Sequence, residues 1–249
     1  MTFPISKKNR YKRLIITILA VFLMTSCHYR KSLITFDGTL TYAENATIYL
    51  AHLTPDGLFF IDSCIVKQGK FKLRVRKEAD KSADYYKIPS FYHIQLKDKN
   101  NNIVLPAKAG DHITLTADAR NLVKNYTANG SVDVQLMQQL DHRLKNFIDS
   151  TDRLQLFYNQ HIEDDEAHMQ VEEAYNKLVA HHTAFLRQFI NKNSQSMVTI
   201  MAFYQIYNQK RFFSEKDDLP LLQSIYANLN SLYPQSEHVL FLKERITLF

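Results

Sequence analysis

NGSVDVQLMQQLDHRLKNFI, Asn129 to Ile148, is where the chain changes its period. Ser131 is a residue type that caps helices, and Leu136, Leu140, Leu144, Phe147 and Ile148 follow at helical spacing. Before Asn129 the spacing is two. KFKLRVR (Lys70–Arg76) sets Phe71, Leu73 and Val75 against lysine and arginine, and HITLTA (His112–Ala117) sets Ile113, Leu115 and Ala117 against polar residues. FYHIQLKD (Phe91–Asp98) sets Tyr92, Ile94 and Leu96 against His93, Gln95 and Lys97. Alternation of this kind predicts strands with one wet face, and hence antiparallel pairing. The five glycines (Gly38, Gly57, Gly69, Gly110, Gly130) all precede Ser131, and TPDGL (Thr54–Leu58) reads as a turn between two strands.

About seven strands fit between Leu33 and Thr127. Downstream, Val171, Tyr175, Leu178, His182, Phe185 and Phe189 form the stripe of a second helix. A third helix is predicted from about Met197 to Lys210, a fourth from about Leu219 to Tyr233 and a fifth from Ser236 to the end, with SEKD (Ser214–Asp217) as a capping box before the fourth. The expected fold is therefore α+β: an antiparallel β-sandwich or open barrel over residues 33–131, then a helical bundle over 132–249.

The first stretch concerns address rather than fold. Lys7, Lys8, Arg10, Lys12 and Arg13 precede the apolar run LIITILAVFL (Leu14–Leu23), which ends in Met24-Thr25-Ser26-Cys27. A basic segment, a short apolar run and small residues before a cysteine are laid out like a bacterial lipoprotein signal, with residues 1–26 removed and Cys27 lipidated. An ordinary secretory signal and a single transmembrane anchor are the competing readings; the run is short for a span, which needs about 20 apolar residues. Residues 27–32 would then be a tether, and lipid on Cys27 would anchor the chain to a membrane. His28, Tyr29, Arg30 and Lys31 follow Cys27 with no acidic residue among them, which points to an outer-membrane lipoprotein facing the periplasm. Residues 1–26 carry five basic and no acidic side chains, and what remains holds 26 basic against 25 acidic. The basic balance of the whole chain is thus a targeting feature and gives no support to nucleic-acid binding.

ITFDGTLTYAENATIYL (Ile34–Leu50), IDSCIVKQGKFKL (Ile61–Leu73), AKAGDHITLTADA (Ala107–Ala119) and YTANGS (Tyr126–Ser131) together resemble a β-rich domain of unknown function. That domain stands at the N-terminus of thioredoxin-like (TlpA/AhpC-type) lipoproteins of Bacteroidota. FINKNSQS (Phe189–Ser196) and YPQSEHVLFLKERI (Tyr233–Ile246) resemble the segment that leads into their thioredoxin domain. The resemblance implies that a thioredoxin domain would begin about where this sequence ends. No Cys-x-x-Cys occurs, and Cys64 is the single cysteine after Cys27, so thiol–disulfide exchange has no resolving partner.

The remaining candidates are few. Cys64 reads as a small core residue, and Asp62 as a carboxylate accepting backbone hydrogen bonds at a bulge. HIEDDEAHMQVEE (His161–Glu173) places Asp164, His168 and Glu172 on one helix face, a conceivable metal set, but reads better as a solvated helix start. His182 reads as packed. Asp149-Ser150-Thr151 resembles the short O-glycosylation acceptor of the same bacterial group, or marks a helix break. In the last helix Val239, Leu242, Ile246 and Phe249 share a stripe while Phe241 and Leu248 fall nearly opposite, marking a surface for a partner protein, either a second copy or a thioredoxin-like chain. The reading is a membrane-anchored binding module, not an enzyme, with no cofactor and no metal. Its rival is the substrate-facing half of a thiol–disulfide system, and a third option is a ligand held between the two halves.

Overall fold

The structure, a computed structural model, describes residues 33–97 and 102–249. Cys27 and the whole leader lie outside the described residues. Eight strands form two four-stranded sheets. β1 (Ile34–Thr41), β4 (Lys70–Val75), β7 (His112–Asp118) and β8 (Thr127–Asn129) make the first, in the order β4-β1-β7-β8. β2 (Thr47–Thr54), β3 (Gly57–Ile65), β5 (Ser90–Leu96) and β6 (Asn102–Ala107) make the second, in the order β3-β2-β5-β6. Neither sheet closes into a barrel. They face each other over a core of Phe36, Ile48, Leu50, Leu73, Ile94 and Leu115.

Two expectations fail here for one reason. β1 and β7 run parallel, not antiparallel, with Gly38 opposite Leu115. The backbones approach so closely there that a Cβ on residue 38 would sit 1.7 Å from the Leu115 carbonyl oxygen, so glycine is required. β5 has no wet face: His93 and Gln95 are buried along with Tyr92, Ile94 and Leu96. Alternation reports that one face is polar; it reports neither strand direction nor what lies over that face. The second sheet is in fact a middle layer. Phe91, Leu53 and Val104 on its far side pack into the helical core with Met137, Leu186, Phe203 and Leu242.

The period switch falls where the sequence places it. α1 (Val132–Gln160) starts with Ser131 Oγ accepting the Val134 N–H at 3.2 Å. α2 (Asp165–Lys192) returns antiparallel to it, and Asp164 caps its start by accepting the Ala167 N–H. The third helix is shorter than expected. α3 (Val198–Phe203) stops, and β9 (Ile206–Tyr207) and β10 (Lys210–Arg211) form a hairpin whose turn residues Asn208 and Gln209 both have positive φ. α4 (Leu219–Leu232) and α5 (Glu237–Ile246) complete the chain. Ahead of α4, Ser214 Oγ accepts the Asp217 N–H as a capping box would, but the Ser214 N–H donates in return to Asp218 Oδ2 rather than to Asp217. Ser32–Phe249 form one compact unit. Among the described residues no helix is long and apolar enough to cross a membrane.

Candidate docking surface

The terminal helix divides the expected contact pair. Val239 and Leu242 are buried as the stripe requires. α5 ends at Ile246, so Leu248 and Phe249 no longer follow helical spacing and are 64% and 56% exposed. Phe241 is half-buried: its ring lies 6.4 Å from that of Tyr204, with the Arg245 guanidinium 6.0 Å above it. Glu215 holds that cover in place, accepting from Tyr204 Oη at 2.9 Å and Arg245 Nε at 3.0 Å. The hydrogen bond from Arg245 keeps the Glu215 carboxyl below its ordinary value. Phe241 and Leu248 therefore do not form one open face.

Cys64 and Asp62 serve the sheet edge. The β2–β3 register shifts between Leu50 and Ala51, so β3 bulges just before Asp62. Asp62 Oδ2 accepts the Arg74 N–H at 2.7 Å, and the Cys64 sulfur faces the Lys72 N–H. Two side chains of β3 thus satisfy donors on the outer edge of β4. Cys64 is half-buried rather than a core residue, and burial pushes its thiol up, away from the reactive thiolate.

The other motifs sit on helices. Asp149-Ser150-Thr151 lies inside α1 and breaks nothing. Ser150 Oγ donates to Asn146 O, while buried Thr151 donates to Ile148 O at 2.8 Å and meets Tyr207 Oη at 2.8 Å. His168 stacks on Tyr158 with ring centroids 4.3 Å apart. Among the described residues no three His, Cys, Asp or Glu side chains are placed to hold a metal ion. His182 is packed between Phe147 and Phe212 and donates from Nε2 to Gln205 Oε1 at 2.7 Å; burial lowers its pKa.

A cluster with no sequence signature joins β2, β5 and α5. His52 Nε2 lies 2.5 Å from Ser90 Oγ, its ring stacks on Tyr92, and Tyr85 Oη donates to Glu237 at 3.0 Å. The pairing resembles a nucleophile and base, but the cavity beside it holds about 20 Å³, room for about one water and no substrate. Strand spacing could not reveal it, because the partners come from three separate elements. A larger cleft of about 480 Å³ opens between Pro106, Lys108 and the start of α1, where Ser196 Oγ donates to Asp133 at 2.7 Å.

A wider concavity, about 1210 Å³, is a groove along the far half of the α1–α2 pair. Leu154 and Tyr158 line it from α1, Met169, Val171 and Tyr175 from α2, and Ile206 of the β9–β10 hairpin closes one end. Met169 is 66% exposed, and Tyr158 and Ile206 are also exposed. Asp152, Asp165 and Glu172 stand along its walls. None of the three is in an ion pair among the described residues. His168 Nε2 is buried at the groove without a hydrogen-bond partner among the described residues. The amphipathic stripe of α2 announces an apolar face; that its first half stays uncovered is not readable from spacing. No protein-family model matches this chain, and no curated protein matches it.

Proposed function

We propose that the chain is a lipid-anchored module of the cell envelope, held at the outer membrane through Cys27, that binds a partner protein and carries out no chemistry of its own. The α1–α2 groove carries this reading. It is larger than the roughly 300–1,000 Å³ usual for small-molecule pockets, and it offers apolar side chains and carboxylates along two helices. The Thr151 hydroxyl in its lining is engaged, donating to Ile148 O and meeting Tyr207 Oη. The polar groups elsewhere that invite a catalytic reading are engaged in holding layers together: Asp62 at a strand edge, His182 in an aromatic core, His52 beside a cavity too small for a substrate. The order of basic segment, apolar run and Cys27 supports the anchor.

Mass spectrometry of the mature N-terminus is expected to find Cys27 acylated and residues 1–26 gone, with Cys27→Ser releasing the chain from the membrane. The native chain is expected to leave insulin disulfides intact and to label slowly at Cys64. A mature chain starting elsewhere would overturn the anchor; disulfide turnover would overturn the non-catalytic reading.

A further inference from the structure

We propose that the groove at the free end of α1 and α2 docks a basic amphipathic helix of the partner protein. This rests on the binding reading above and names what binds. The same seam shows what it accepts. Nearer the sheets, α1 and α2 are covered by other elements of the chain, and Phe147, His182, Leu186 and Phe189 are buried there. The seam continues past Thr151 with its apolar residues still in register, at Leu154 and Tyr158 on one side and at Tyr175, Val171 and Met169 on the other. A helix laid along two antiparallel helices fills such a seam with side chains at three- and four-residue spacing.

Charge selects the kind of helix. Asp149 to Asn176 holds eight carboxylates and one basic residue, Arg153. Asp152, Asp165 and Glu172 at the groove lack cationic partners among the described residues, so lysines or arginines on an incoming helix meet unpaired carboxylates at the rim of an apolar floor. The same field disfavours an anionic membrane surface. A second copy is a poor occupant as well. The densest basic stretch after Cys27, on and just beyond β4, turns its apolar side chains Phe71, Leu73 and Val75 into the sandwich core and has its outer edge met by Asp62 and Cys64. It cannot present charge and apolar surface together.

The test uses the chain from residue 27 with Cys27→Ser, which contains the compact unit Ser32–Phe249. The probes are a synthetic leucine–lysine amphipathic helix of about 18 residues, five turns long, its leucine–glutamate counterpart, and a scrambled leucine–lysine peptide. Anisotropy titration and amide chemical-shift mapping are the readouts. The leucine–lysine helix is expected to bind and to shift residues around Tyr158, Met169 and Tyr175, with affinity falling as salt rises. Asp152→Lys with Glu172→Lys is expected to weaken it about tenfold or more and to admit the leucine–glutamate helix. Equal binding of the scrambled peptide, shifts centred elsewhere, or indifference to the charge reversal would overturn the proposal. So would concentration-dependent shifts at the groove without peptide, or binding to vesicles of anionic phospholipid through these residues. Loss of the Cys27 anchor would leave all these readouts unchanged, so the two proposals fail separately.

Discussion

The two ends of the α1–α2 pair are built from one sequence pattern and meet different fates. Near the sheets, Phe147 sits among the rings of His182, Tyr207 and Phe212 at 4.8–5.4 Å, and Leu186 is fully buried. At the far end Leu156, Ile162 and Met169 are exposed, and the rings pair locally, Phe157 on His161 and Tyr158 on His168. A helical stripe therefore states that a face wants cover; the rest of the chain decides where cover is given. The near end is a core. The far end keeps a core's composition and is left open with a ring of negative charge.

The largest expected effect separates the ends by stability. Leu186→Ala empties fully packed space and should cost about 2–5 kcal/mol. Met169→Ala removes a side chain that is already mostly in water and should change stability by less than about 0.5 kcal/mol. Urea unfolding of the two variants measures both. A loss at Met169 that rivals the loss at Leu186 would mean that the far seam is closed within the chain, and the comparison would collapse.

A smaller effect separates the ends by charge. Near the sheets a carboxylate is partly buried: Asp141 accepts from Tyr126 Oη at 2.5 Å, and burial, outweighing that bond, pushes its pKa up to about 6. Folded Asp141 thus holds its proton more tightly than the unfolded chain does. Its contribution to stability is complete below about pH 4 and is lost as pH rises through about 6. That tighter hold on the proton is worth about 3 kcal/mol at most. Asp141→Asn keeps an acceptor for Tyr126 and should raise stability above pH 6 while leaving it little changed at pH 4. Glu215 works in the opposite sense. Arg245 depresses its pKa, so its contribution is present above the ordinary glutamate range and is lost as pH falls through its folded value. Denaturant midpoints across pH would show Asp141→Asn removing the fall between pH 4 and 6 and Glu215→Gln reducing the loss at lower pH. An unchanged profile for Asp141→Asn would mean that the near end encloses no charge.

What the sequence could state was local. The switch at Ser131, the strands carrying Phe71 and Ile113, the turn at Gly57, and α4 and α5 to within a few residues follow from spacing and caps. What it could not state depends on elements distant in the chain. The parallel pairing of Gly38 with Leu115 joins residues far apart, so alternation in either strand is silent about it. His93 and Gln95 look wet and are buried because helices from the C-terminal half lie over them. Lys210 reads as helical because nothing in apolar spacing reports that Asn208 and Gln209 will take the left-handed conformations of a hairpin turn. The expected partner face is divided, with Leu248 exposed and Phe241 half-covered beside Tyr204 and Arg245, and Glu215's hold on those two is a tertiary event. The groove is half legible, as a stripe through Val171 and Tyr175; its openness is not.

The smallest expected effect asks whether the far end works as a groove or merely as an apolar tip. Leu156 and Met169 are similarly exposed, at 59% and 66%, and both belong to the far end. They differ in direction. Leu154 and Tyr158, four residues apart, share the groove side of α1, while Leu156 lies about 200° around the helix from Leu154. Leu156 is not among the residues that line the groove. Removing either apolar side chain leaves no cavity, so Leu156→Ser and Met169→Ser should each stay within about 0.5 kcal/mol of the parent in urea unfolding. Binding should separate them. Met169→Ser takes apolar surface from the floor beneath a docked helix and should weaken the leucine–lysine peptide about fivefold or more, whereas Leu156→Ser should leave its affinity within about twofold. If the two serines weaken binding equally, the peptide is responding to the apolar character of the whole tip. The groove would then have no claim over the rest of the far end, and the open seam would be an exposed helix face without a direction for its partner.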